Sequence, residues 1–78
     1  MTDNFDKKLG ETLRRIREEK RVSAQTMAER LGVTKQALSY WERGDRGLKA
    51  ATLRDYCAAL GVSMQSVFDR MESEYGNE

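Results

Sequence analysis

Only three residues, Gly32, Val33 and Thr34, separate two short stretches of helical apolar spacing, and that brevity limits what the chain can fold into. The first stretch, Ala24 to Leu31, turns Met27, Ala28 and Leu31 to one side, and Ser23 before it suits a helix N-cap. Gly32 follows the last apolar residue, where a left-handed stop carries no steric penalty for glycine. Thr34 then suits the N-cap of the next helix, Lys35 to Arg43, which ends at Gly44. Two helices joined by so tight a glycine-containing connection read as a helix-turn-helix unit over residues 23–43.

The flanking segments are helical too. Phe5, Leu9, Leu13 and Ile16 recur every three to four residues and predict a helix from about Asp6 to Lys20, with Glu11 and Arg15 supporting its exposed side. Asp45-Arg46-Gly47 reads as a charged, exposed loop. A fourth helix, Ala50 to Leu60, buries Leu53, Tyr56, Cys57 and Leu60 and stops at Gly61. Ser63 caps a fifth, from Met64 to about Glu74, and residues 72–78 are expected to fray. Proline is absent. The expectation is one all-α domain of five helices spanning residues 1–78.

Several function classes fall away. Histidine is absent and Cys57 is the only cysteine, so neither a disulfide nor a zinc site is expected, and no other metal or cofactor is called for. No nucleophile motif is present and 78 residues leave little room for a pocket, so no enzyme is expected. The N-terminal stretch lacks the apolar run of a signal peptide, and no run approaches the roughly 20 residues that span a bilayer. A cytoplasmic protein without membrane contact is the expectation, in keeping with an unpaired cysteine.

The net charge of +1 says little, but its distribution is uneven. From Arg30 to Arg54 six basic residues face two acids, whereas from Asp69 to Glu78 one arginine faces four acids. The middle of the chain suits a polyanion and the tail does not. On a helical wheel Ala37, Leu38 and Trp41 fall on one side of the third helix. Lys35, Gln36, Ser39, Tyr40 and Arg43 fall on the other and include no acid. A glutamine pairs twice with adenine and a lysine donates to guanine, so these groups match DNA base edges and phosphates. The wheel alone suits an unliganded solvated face equally well.

The stretch from Val22 through Ala28-Glu29-Arg30-Leu31-Gly32-Val33-Thr34 to Trp41-Glu42-Arg43-Gly44 closely resembles the Cro/CI-type, or XRE, helix-turn-helix family. Thr52-Leu53, Ala59-Leu60-Gly61-Val62-Ser63 and Val67-Phe68 resemble its fourth and fifth helices, so the likeness covers roughly residues 9–71. It implies a lambda-repressor-like five-helix domain whose third helix enters the major groove of double-stranded DNA. It further implies base reading by Lys35, Gln36, Ser39 and Tyr40, and phosphate contacts from Thr34, Arg43 and Arg46. It also implies that Arg17 and Glu42 pair across the helices as a structural ion pair. Two positions depart from the family. Its frequent glutamine directly after the second-helix cap is Ala24 here, with Gln25 next, which displaces that phosphate contact to Gln25. Its glycine between the first two helices is Arg21 here, which must accept an unusual backbone angle or a longer turn.

Trp41 and Cys57 are assigned to the core, since both lie on apolar faces and no basic neighbour activates the thiol. Met64, Val67, Phe68, Met71 and Tyr75 form more apolar surface than one buried helix face needs. Val67, Phe68, Met71 and Tyr75 are therefore assigned to a homodimer interface, which would place two third helices about one DNA turn, ~34 Å, apart on a palindrome. Three functions remain open: a dimeric repressor or activator, an antitoxin that also covers a toxin protein, and a protein-interaction module on the same fold.

Overall fold

The computed structural model describes residues 4–45 and 47–76. These form five helices, α1 (Phe5–Glu19), α2 (Ala24–Leu31), α3 (Lys35–Arg43), α4 (Ala50–Leu60) and α5 (Met64–Tyr75). No strand occurs among the described residues. The starts of α2, α3 and α5 are made by side-chain caps: Ser23, Thr34 and Ser63 accept the backbone N–H groups of Thr26, Ala37 and Ser66, each at 3.0 Å.

One hydrogen-bond pattern stops four of the helices. After α2, Val33 N–H reaches Ala28 O at 3.0 Å and Gly32 N–H reaches Glu29 O at 3.2 Å. The same crossed pair follows α3 at Gly44 and α4 at Gly61. It also follows α1, where Val22 N–H bonds Arg17 O at 3.1 Å and Arg21 N–H bonds Glu18 O at 3.0 Å. The left-handed residue is there Arg21, with φ of 60°. The chain thus takes the unusual backbone angle and keeps the turn short, at a steric cost glycine would not bear.

The helices close a ring, α1 on α3, α3 on α2, α2 on α4, α4 on α5 and α5 back on α1. Inside it lie Leu9, Leu13 and Ile16 of α1, Met27 of α2 and Leu38 of α3. Leu53, Tyr56, Cys57 and Leu60 of α4 and Val67 and Met71 of α5 complete the core. The α1–α3 contact depends on Gly10. A methyl there would stand 2.4 Å from the Trp41 carbonyl oxygen and 2.6 Å from that of Glu42. A mid-helix glycine sacrifices about 1 kcal/mol of helix propensity. Here it lets two backbones touch, and so sets how α3 is held.

Three expectations need correcting. Phe5 does not join the inward face of α1: it is 45 % exposed and stacks on Phe68 with ring centroids 6.5 Å apart. Val67 and Met71 are not surface contacts. Val67 is 0 % exposed and Met71 is buried beside it, because the ring leaves α5 only one side with which to close the core. Residues 72–75 are helical: α5 continues to Tyr75, with its last turns tied to α1. Arg15 bonds Glu74 at 3.1 Å, Arg70 bonds Glu19 at 3.0 Å, and the Tyr75 hydroxyl donates to Glu11. Asn77 and Glu78 lie outside the described residues.

Candidate nucleic-acid interface

Helix α3 is anchored from behind. Leu38 is fully enclosed and Glu42, one turn later, is buried, which turns the opposite side of the helix outward. Lys35, Gln36 and Arg43 are exposed there, with Ser39 and Tyr40 half-buried between them. Gln36, Tyr40 and Arg43 contact one another in sequence along the ridge. Gln36 Nε2 donates to the Tyr40 hydroxyl at 3.0 Å, and the Arg43 guanidinium lies 5.3 Å from the centroid of the Tyr40 ring. Arg43 also pairs with Asp45 at 2.9 Å, a carboxylate that sequence reasoning assigned only to a loop. The Thr34 oxygen is spent as an acceptor on the Ala37 N–H, which leaves its O–H free to donate. Gln25 is exposed at the start of α2 and bonds Glu29 at 3.0 Å. Arg46 lies outside the described residues.

Directly behind this ridge sits a buried charged cluster. Arg17 grips Glu42 with two hydrogen bonds, 2.8 and 3.0 Å, and both residues are 7 % exposed. A third Arg17 bond, 2.8 Å, goes to the carbonyl of Val22. The Tyr56 hydroxyl donates to the same Glu42 carboxylate. Hydrogen bonding to Glu42 raises the pKa of Arg17 further above its ordinary range. Burial, reinforced by the bond and charge of Glu42, pushes the Tyr56 hydroxyl far above its ordinary 10.0. The cluster joins α1, α3, α4 and the α1–α2 turn, so α3 can neither roll nor slide without stranding charge.

Sequence reasoning placed Tyr56 correctly in the core but missed its bond. The available signal was its hydroxyl, since a buried tyrosine needs a partner that phenylalanine would not. Gly10 was likewise passed over, although glycine beside an apolar stripe is itself a mark of close approach.

Buried at its back and polar at its front, a short helix displayed after a tight turn defines a helix-turn-helix DNA-binding domain. A family model described as a helix-turn-helix domain matches residues 8–70, and the chain belongs to that family, which is the Cro/CI or XRE type of DNA-binding transcription regulator. No curated protein sequence matches the chain. Among solved structures it is similar to the clp gene regulator ClgR from C. glutamicum, at 30 % identity and a TM-score of 0.88, over 95 % of this chain and 96 % of that one. It also shares its fold with a mutant of the restriction-modification controller protein C.Esp1396I, at 24 % identity and a TM-score of 0.85, over 95 % and 94 % of the two chains. Among the described residues no helix is long and apolar enough to cross a membrane, and no cluster of metal-ligating side chains occurs.

Proposed function

We propose that the chain regulates transcription as a homodimer that reads a short palindromic operator, with α3 of each copy in the major groove. Lys35, Gln36, Ser39 and Tyr40 read base edges, and Thr34, Arg43, Arg46 and Gln25 hold phosphates. The observation that carries this reading is the outward ridge of α3, free of acids along its length and fixed from behind by Leu38 and Glu42. The likeness to a clp gene regulator adds to it. For the dimer, the support is an apolar patch in which Phe5, Phe68 and Met64 are 45, 37 and 36 % exposed. These are the exposed large hydrophobic residues among those described, and they lie at or near α5.

Selection of bound duplexes from a random pool tests the reading directly, because it reports specificity, symmetry and half-site spacing together. The expected product is a palindrome with half-sites about one helical turn apart. Gln36→Ala should then cost about 1–3 kcal/mol on the selected site and relax preference at one base pair. Failure to enrich any sequence, or unchanged preference in Gln36→Ala, would overturn base reading. Phe68→Glu should shift the protein to monomer in sedimentation while leaving its helix content intact. A dimer that survives this change is not built on that patch.

A further inference from the structure

Beside the ridge of α3 runs a groove that no expectation from the sequence included. Two depressions, of about 560 and 300 Å³, lie between α1 and α3 and share Arg14, Glu42 and Arg43 as walls. The larger extends along α1 to Lys7, and the smaller extends to Lys35 and Ser39 on the reading face. Lys7 is held there by its backbone. A methyl on Gly44 would stand 2.6 Å from the Lys7 Cα, so the end of α3 rests against the first turns of α1.

The charges along this groove do not cancel. Glu42 is already matched by Arg17, and Glu11 accepts from Tyr75 and approaches Arg15 at 3.7 Å. Lys8 also lines the larger depression, with its ammonium 5.4 Å from the centroid of the Tyr75 ring. Lys7, Arg14, Arg43 and Lys35 remain along the groove, all of them exposed. Arg14 pairs with Glu18 at 3.1 Å and Arg43 with Asp45 at 2.9 Å, yet each arginine side chain is still 56 % open to solvent. Surface pairs of this kind are weak and exchange readily for another anion. A strand of evenly spaced negative charges is the anion that fits an open groove several side chains long.

We propose that this groove takes the phosphodiester backbone of the DNA strand bordering the major groove that α3 enters, with Lys7 and Arg14 of α1 as phosphate-contacting residues. The proposal rests on the reading of α3 given above, and it adds to the DNA-binding surface a second wall that belongs to neither helix of the turn. Phosphate contacts carry no base information. Lys7 and Arg14 therefore add affinity and salt dependence, but not sequence preference.

The test measures affinity by fluorescence anisotropy for the selected duplex and for an unrelated duplex, between about 50 and 200 mM salt, the range over which counterion release dominates. The proteins are the parent, Lys7→Gln, Arg14→Gln, the double variant and Arg70→Gln. The last removes one positive charge from α5, outside the groove. Lys7→Gln and Arg14→Gln should each flatten the plot of log affinity against log salt by about 0.9, and the double variant by about twice that. The ratio of selected to unrelated binding and the thermal midpoint should stay at parent values, and Arg70→Gln should keep the parent slope. Parent slopes in both α1 variants overturn the groove while leaving the reading of α3 intact. An equal loss in Arg70→Gln overturns it as a mere effect of net charge. A parent that binds no duplex overturns both.

Discussion

Replacing Glu42 with alanine should be among the most damaging single changes in this domain. The carboxylate accepts two bonds from Arg17 and one from Tyr56, with Arg17 and Glu42 each 7 % exposed and Tyr56 fully enclosed. Glu42→Ala removes all three and leaves Arg17 with the Val22 carbonyl alone. Breaking one side of a buried ion pair costs about 3–5 kcal/mol. Domains of this size have roughly 0.05–0.15 kcal/mol of stability per residue, so the loss takes a large part of the whole. At about 4–8 °C per kcal/mol, the thermal midpoint should fall by roughly 12–40 °C. The penalty is mostly that of a stranded charge, which a second experiment isolates. In the triple variant Arg17→Met, Glu42→Leu, Tyr56→Phe no buried charge is stranded and only the half-buried Val22 carbonyl loses a bond, so stability should return to within about 2 kcal/mol of the parent. Urea melts with a common slope measure both. A cost below about 1 kcal/mol for Glu42→Ala, or a triple variant less stable than that single one, would refute the account.

Four further outcomes are expected. Gly10→Ala drives a methyl into the carbonyls of Trp41 and Glu42 and should cost about 1–3 kcal/mol, although alanine is the better helix former; a more stable variant in urea would show that α1 and α3 do not meet there. Arg21→Gly relieves a left-handed arginine and should raise stability by about 0.5–1 kcal/mol, with no gain counting against the strained turn. Asp45→Asn frees Arg43 and removes a repelling charge from just beyond the end of α3, so binding to every duplex should tighten, by about three- to tenfold at low salt; unchanged affinity would show that the Arg43–Asp45 pair does not compete with phosphate. Tyr56 keeps its proton in the folded state beyond its ordinary 10.0, whereas the unfolded chain releases it near that pH. Its contribution is therefore complete below pH 10 and falls above it by up to about 1.4 kcal/mol per pH unit; denaturation at pH 8 and 11 should show a shallower alkaline loss in Tyr56→Phe, and an equal loss would contradict it.

Much of the fold was legible beforehand because it is written in short-range bonds. Ser23, Thr34 and Ser63 cap α2, α3 and α5 through groups three residues away. The same holds for the glycine stops after α2, α3 and α4, which close within five residues. The outward side of α3 was also legible, because its period separates Leu38 from Gln36, Ser39 and Arg43 without reference to any other helix. Covered and uncovered apolar residues were harder to tell apart. Phe5 and Phe68 read as core or interface material just as Leu9 and Val67 do, and only the ring of helices exposes the first two and encloses the others.

The amino-acid order by itself settled where α2, α3 and α4 begin and end, where α5 begins, and which side of α3 is polar. It could do so because capping, left-handed turns and side-chain period act between neighbours in the chain. Tertiary structure alone decided that Tyr56 meets Glu42 across 14 positions, that Gly10 touches the backbone of α3, and that Lys7 and Arg14 border the reading face. Those contacts depend on the angles and distances at which separate helices pack, and no local preference of the chain encodes them.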